Sequence, residues 1–515
     1  MTTNIRTLSV TIQTTVAAIR ERRMLRAGVA SLVFAAIAGC SVTPQPFTKT
    51  ELSVFAADKE RRVVAATQEP VTQSIDLYEA MARALKYNLD HRLEIADVSL
   101  RSAEFREAEL DMLPELVART DWSDRDNDPF STSLNQNGTR DPLASTSADP
   151  GSTAGGLELS WDILDFGLSY YRAKQAGDRA LIAEEQRRSV INRVIEDVRT
   201  AYWRAVAAER LLGQIGQLET RAKAALNVAS RQVSSGEGSK LEALRFQREM
   251  LDTLRIAQEL RRDLFVAKNQ LAALMNLPQN QQYSVVVPKH HRLRTPITAL
   301  SSDEMTRMAL RNRAEMREIA YRLRINEEEV NASTLALLPS IKGYLGVSYD
   351  TNDFLVNDNW TGWGARVSWD LMSLAKYPRN KKRVAAQGDL LDARALALTQ
   401  AIATQVYVAN KRFHSLQHEV ETARQYHATS RSIYSQTRSE LQSGVGSQRE
   451  NVRENLNTIL AALRYDATYA EMQGAFANVY ASVGLNAYDG ALTGAETVDV
   501  LAQSLRSMWK KRGDK

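Results

Sequence analysis

The chain has 515 residues, 44% hydrophobic and 7% aromatic, with a single cysteine and a formal net charge of +5. One thiol excludes an intrachain disulfide framework, and long tracts rich in Ala, Leu, Arg, Glu and Gln predict that helix dominates. Within residues 1–39, Arg6, Arg20, Arg22, Arg23 and Arg26 face only Glu21, so the rest holds 61 basic and 60 acidic residues and gives no electrostatic case for a nucleic acid partner.

The first element in chain order is a targeting segment. Met24-Leu25-Arg26 supplies a positive start, Ala27 to Ala38 an apolar run, and Ile37-Ala38-Gly39-Cys40 closes it with small residues. This resembles a bacterial lipobox, which implies a signal peptide over 1–39, with Met24 as an alternative start. It also implies a covalent lipid on Cys40, and Ser41 in place of Asp implies sorting to the outer membrane. The plainer reading is an ordinary secretory signal with a coincidental cysteine. Residues 40–73 follow as a lipidated linker. No other run reaches the ~18 apolar residues of a membrane-spanning helix, so a membrane crossing would require a closed β-barrel.

Residues 74–278 and 303–486 read as two copies of one unit, joined by a linker over 279–302 and followed by a tail over 487–515. Ala84-Leu85-Lys86 recurs as Ala309-Leu310-Arg311, and Leu113-Pro114 as Leu338-Pro339, both 225 residues on. Ser160-Trp161-Asp162 recurs as Ser368-Trp369-Asp370, and the pentapeptide Ser235–Ser239 as Ser443–Ser447, both 208 residues on. The difference falls in a polar tract, Asp124 to Gly155, which the second copy shortens to about Thr351–Asn359; a length change tolerated there marks a solvent loop.

Each copy predicts a helix ending at Leu-Pro (about 76–112 and 303–336), then two short strands. The strands fall at about 115–123 and 156–164 in the first copy, and at 340–350 and 362–371 in the second. Long helices follow over about 168–233 and 378–442, each turning at its glycine-rich pentapeptide into another, about 239–276 and 447–484. The longest would span on the order of 100 Å, too long for a globular core. A generic coiled coil would explain the helices and leave the strands unexplained.

The strands alternate with period two. Ile341, Gly343, Leu345, Val347 and Tyr349 oppose Lys342, Tyr344, Gly346, Ser348 and Asp350. Trp363, Ala365, Val367, Trp369 and Leu371 oppose Gly364, Arg366, Ser368 and Asp370, and Leu157, Leu159, Trp161 and Ile163 oppose Glu158, Ser160 and Asp162. A soluble half-buried sheet would look the same strand by strand. Apolar-out, polar-in runs of this length with terminal aromatics also match transmembrane barrel strands. Four strands cannot close a barrel, so that reading demands assembly: three copies give twelve strands around a lumen lined by Glu158, Asp162, Arg366 and Asp370.

On the repeated strand pair, the Ser-Trp-Asp motif and the Ser-Gly-x-Gly-Ser turns, residues 74–486 resemble the TolC-like outer-membrane efflux proteins, in their lipoprotein branch. The resemblance implies a mainly α fold with a small transmembrane β part. That fold is a homotrimer whose twelve-stranded barrel continues as a long periplasmic helical barrel. It implies a passive conduit for drugs, metals or other small solutes, working with a periplasmic adaptor and an inner-membrane pump and contacting outer-membrane lipid. An exit duct for type I protein secretion is the alternative within transport, and a poreless periplasmic scaffold lipoprotein the alternative outside it.

The turns Ser235, Gly236, Gly238, Ser239 and Ser443, Gly444, Gly446, Ser447 supply the flexible backbone a helix-helix turn needs; the resemblance adds adaptor contact. Glu242 and Glu450 stand six residues past the first glycine of each turn, where the family often carries acidic residues near a periplasmic gate. Arg449 and Arg453 beside them depart from an acidic gate, and a solvated helix face is the plainer reading. His414 and His418 share a helix face without a third ligand, which is the pattern of surface residues. No cofactor beyond the lipid is implied, and the chain carries no phosphate loop, no HExxH and no nucleophile elbow, so an enzyme is not expected.

Overall fold

The computed structural model describes residues 44–65, 68–134, 136, 138–235, 239–278, 281–287, 301–488, 490 and 495–512. Cys40, Gly236 and Gly238 lie outside them. The chain divides into Met1–Gln68 and Glu69–Lys515. In the first unit, the stretch expected to be a linker holds a helix, α1 (Lys49–Ala65). It starts where the Glu51 amide donates to the Thr48 hydroxyl while the Glu51 carboxylate accepts from the Thr48 amide, a reciprocal capping box.

The second unit runs α2 (Leu77–Tyr87), α3 (Leu89–Leu110), β1 (Glu115–Asp124), β2 (Gly151–Asp162), α4 (Ile163–Ser235) and α5 (Lys240–Leu274). The same order returns as α6 (Ser302–Asn312), α7 (Ala314–Leu335), β3 (Ser340–Asp350), β4 (Asn359–Ser368), α8 (Leu371–Gln442) and α9 (Gln448–Ser482). Lengths agree closely, with 73 against 72 residues for α4 and α8 and 35 for both α5 and α9. Each long helix begins directly after its strand, five to seven residues earlier than the sequence reading has it. In α8, Pro378 is accommodated two turns inside the start rather than marking it.

The single helix expected before each strand pair is two. Asn88 and Arg313 take extended backbone, each ending one helix and opening the next. The Asn88 side chain accepts from the His91 amide, so it caps α3 instead of continuing α2. The breaks lie where the returning helices end: the Asn88 side-chain Nδ2 donates to Leu274 O, and the backbone of Gly484 abuts Asn312 and Arg313 so closely that a Cβ there would stand 2.5 Å from Arg313 N. Helix periodicity does not show these breaks: the first has a local signal only in the capping Asn88, and both are accompanied by contacts with residues about 170 to 190 positions away.

The largest buried cluster sits at a waist, and two smaller ones continue along the helical hairpins as far as Met250 and Val452, while the sheet holds none. Ile75, Met81, Leu85, Ile195, Phe413 and Phe476 are fully or almost fully buried at the waist. The tail over 487–515 contributes to it through α10 (Val498–Lys511), which packs along α2. Trp509 is completely buried, donates to Ala487 O at 3.2 Å and receives the buried Arg199 guanidinium on its ring face at 4.5 Å. The linker also joins the waist, where Ile75 pairs with Val285 in a parallel bridge. Below the waist α4 and α9 pack on each other, flanked by α5 and α8; above it the order is α3, α4, α7, α8.

Candidate functional site

The four strands form one antiparallel sheet in the order β1-β2-β3-β4, so β1 and β4 are free edges. Register decides which side chains share a face, because directly paired residues point the same way. Leu116 pairs with Leu159, Leu159 with Leu345, and Leu345 with Trp363, giving an apolar row across all four strands. Ala118, Leu157, Val347 and Thr361 form the next row. The opposite face carries Asp162, Lys342 and Arg366 in one row, and Lys342 Nζ lies 3.7 Å from Glu115.

Alternation thus sorts the faces as expected, with Glu158 and Arg366 on the charged one. The apolar face has no cover: Leu116 is 69% exposed and Trp363 82%. A bare apolar face and two open edges cannot be an end state in water, since both the apolar area and the unpaired edge groups call for a partner.

Asp162 and Asp370 have a second task at the end of the sheet. The Asp162 carboxylate accepts from the Leu164 and Asp165 amides and from the Ser340 hydroxyl, and Asp370 accepts from Met372 N. Each is the cap that turns a strand into a long helix. Asp370 therefore lies beyond the last residue of β4 rather than within it.

At the other end of the long helices, the second turn is described in full. Gly444 takes φ +79°, its amide donates to Leu441 O, and Val445 and Gly446 donate to Glu440 O at 3.1 and 2.9 Å. A Cβ on Gly446 would stand 2.6 Å from Leu441 N, so that position requires glycine, while the left-handed backbone at Gly444 favours it. Ser443 closes α8 and Ser447 precedes α9, leaving Val445 at the tip 85% exposed. In the first turn Ser235 ends α4, and the Ser239 hydroxyl caps α5 by accepting from Glu242 N.

Glu242 and Glu450 are exposed, and neither stands alone. Arg245 lies 2.8 Å and Arg449 3.6 Å from Glu242, while Arg453 lies 3.2 Å from Glu450. Arg453 and Arg449 also converge on Glu249, at 2.6 and 3.1 Å, tying α9 to α5. The Arg453 hydrogen bond holds the Glu249 carboxyl below the usual carboxylate range. Glu249, which sequence reasoning passed over, is the hub; its one signal was its place seven residues past Glu242, two helical turns along the same face.

The outer helices carry exposed apolar residues along free edges. On α5 these are Leu244, Leu251 and Phe265, spaced by multiples of seven; on α8, Leu396, Tyr426 and Ile433. His414 Nδ1 sits 3.0 Å from Gln417 Oε1. Among the described residues no three potential metal ligands converge, and no helix is long and apolar enough to cross a membrane.

Residues 80–277 match the outer membrane efflux protein family. A comparison with curated proteins by sequence finds no match. Among solved structures the chain resembles the outer membrane channel CmeC of Campylobacter jejuni, at TM-score 0.62 and 14% identity over 92% of this chain and 97% of that one. It also resembles CusC, crystallised to follow folding and transmembrane channel formation, at TM-score 0.61 and 18% identity over 82% and 95%. The open-state outer membrane channel MtrE of Neisseria gonorrhoeae gives TM-score 0.60 and 15% identity over 80% and 89%. At these identities the likeness is one of fold.

Proposed function

We propose, for a chain whose residues 80–277 belong to the outer membrane efflux proteins and whose fold is that of TolC-like outer-membrane channels, that it is the passive channel subunit of an export system. The observation that carries this reading is the sheet. It has an apolar row from Leu116 to Trp363 on one face, a charged row from Asp162 to Arg366 on the other, and open edges at β1 and β4. A lipid-facing barrel wall needs that pattern, and three copies joined β4 to β1 remove every edge.

The helices favour the same closure. Leu244, Leu251 and Phe265 on α5 and Leu396, Tyr426 and Ile433 on α8 lie on helices at opposite sides of the protomer, where a second copy would cover them. The long helices then extend the barrel into the periplasm. Anchoring by a lipid on Cys40 belongs to this reading, as does docking of a periplasmic adaptor, itself joined to an inner-membrane pump, at the turns around Ser239 and Val445.

The gate proposed at Glu242, Glu450 and Arg453 becomes a collar of alternating charge, because each carboxylate is matched by an arginine of its own protomer. No catalytic step enters, and the driving energy comes from the partner pump.

The test is detergent extraction followed by electrophoresis with and without heating, and conductance in planar bilayers. A heat-dissociable trimer with stepwise conductance is expected. A monomer that inserts no pore would leave the scaffold lipoprotein as the better reading.

A further inference from the structure

Above the waist, one face of the helix layer holds a groove of about 510 Å³ walled by α3, α4, α7 and α8 of a single protomer. That volume suits a small organic molecule. Its walls are related by the repeat: Arg179, Ile182, Ala183 and Gln186 on α4 stand 208 residues before Gln387, Leu390, Leu391 and Arg394 on α8. Spacing by three, four and seven puts each set on one helix face. The apolar positions match between the halves, while arginine and glutamine exchange places, so each half contributes one cation to a shared apolar floor. Arg101 from α3 and Arg322 from α7 complete the rim, with Asp97 as the one carboxylate.

The surrounding acids are already engaged. Asp178 is taken by Arg324, Glu184 by Arg187, Glu185 by Arg188 and Arg317, and Glu318 by Arg322. Arg101 is shared between Asp97 and Glu104. Arg179 keeps only a 3.5 Å contact with Gln175 Oε1, and among the described residues Arg394 has no hydrogen-bond or ion-pair partner. Two guanidinium groups without counter-charge beside an apolar floor of Ile182, Ala183 and Leu391 are an electrostatic surplus that an anion would relieve.

We propose that this groove binds a small amphiphilic organic anion, with a carboxylate or sulfonate on Arg179 and Arg394 and an apolar body on the floor between them. The walls come from one protomer, so occupancy does not depend on pore formation.

The probe is 1-naphthoate, measured by equilibrium dialysis against the full chain in lipid nanodiscs, with empty nanodiscs as baseline and 1-naphthamide as the uncharged analogue. Saturable binding above baseline is expected for naphthoate, with naphthamide much weaker and inorganic phosphate failing to displace at equal concentration. The double variant Arg179→Gln, Arg394→Gln should bind about tenfold or more weakly. Both positions are exposed, and circular dichroism would verify that the helices are retained. Leu390→Gln, on the exposed part of the wall, should weaken binding with both cations intact. Naphthoate uptake equal to that of empty nanodiscs, unchanged binding in the double variant, equal binding of naphthamide, or displacement by phosphate would each overturn the proposal.

Discussion

Asn276 and Gly484 close the two returning helices in the same way, both in left-handed backbone, at φ +53° and +75°. After each, the next amide reaches back to complete the turn, Leu277 N to Ala272 O at 2.9 Å and Leu485 N to Tyr480 O at 3.1 Å. Their surroundings differ, because Gly484 presses on the backbone of Asn312 and Arg313. Gly484→Ala should therefore cost the ~1–2 kcal/mol of a left-handed alanine plus the displacement of α6 from α7. Asn276→Gly should change stability by less than ~1 kcal/mol. Midpoints of thermal loss of helix signal would check the pair, and equal effects would contradict the asymmetry.

The C-terminal helix is expected to be structural. Trp509 is fully buried against Arg199, Phe476 and Tyr480, so Trp509→Ala should destabilise by ~3–5 kcal/mol, as large buried aromatics do. Val500→Ala, on the exposed side of the same helix, should be nearly neutral. Limited proteolysis within residues 495–512 would reveal release of α10 in the first variant and its retention in the second.

At the hairpin end, Glu249 holds Arg449 and Arg453. Its carboxyl is lowered in the folded chain, first by the Arg453 hydrogen bond. The contribution is therefore fully present above the unfolded carboxylate value of ~4.3 and fades as pH falls through the lower folded value. The protection of the α5 and α9 ends against hydrogen exchange, taken relative to the intrinsic rate at each pH, should stay high at pH 5 and fall in stronger acid. Glu249→Gln should show the faster exchange already at pH 7; a flat profile in both proteins would remove Glu249 as the tie.

For the sheet, Leu345→Arg places a charge in the middle of the apolar row, while Ser348→Arg places one on the opposite face. The first should cost ~2–4 kcal/mol near the bilayer midplane and reduce trimer yield. The second should assemble normally and alter conductance and ion preference. Equal trimer yields would mean that the apolar face does not meet lipid.

The lipid proposed on Cys40 has its own test. Cys40→Ser should abolish incorporation of labelled palmitate yet leave trimers in the membrane fraction, because in the proposed assembly the apolar band of the sheet would itself provide insertion. Label on the serine variant would refute the site.

Sequence alone determined what repeats or alternates. Period two in the strands foretold the face of Leu345 and Trp363, and the offsets of 225 and 208 foretold that the order of helix, strand pair and long helical hairpin would return in the second half, though not that the helix before each strand pair is split in two. The glycine pentapeptide foretold the turn at Gly444. Each of these is a local or periodic requirement, set by side-chain direction along a regular backbone or by the φ a turn needs, and so is written within a few neighbouring residues.

Tertiary structure decided the rest. The breaks at Asn88 and Arg313, the burial of Trp509 against Arg199, the hub at Glu249 and the meeting of Arg179 with Arg394 in one groove join residues about 170 to more than 300 positions apart. Each member alone reads as an ordinary helical or surface residue. Its role arises only from what long helices bring beside it when they pack, and no pattern of neighbours in the chain encodes that partner.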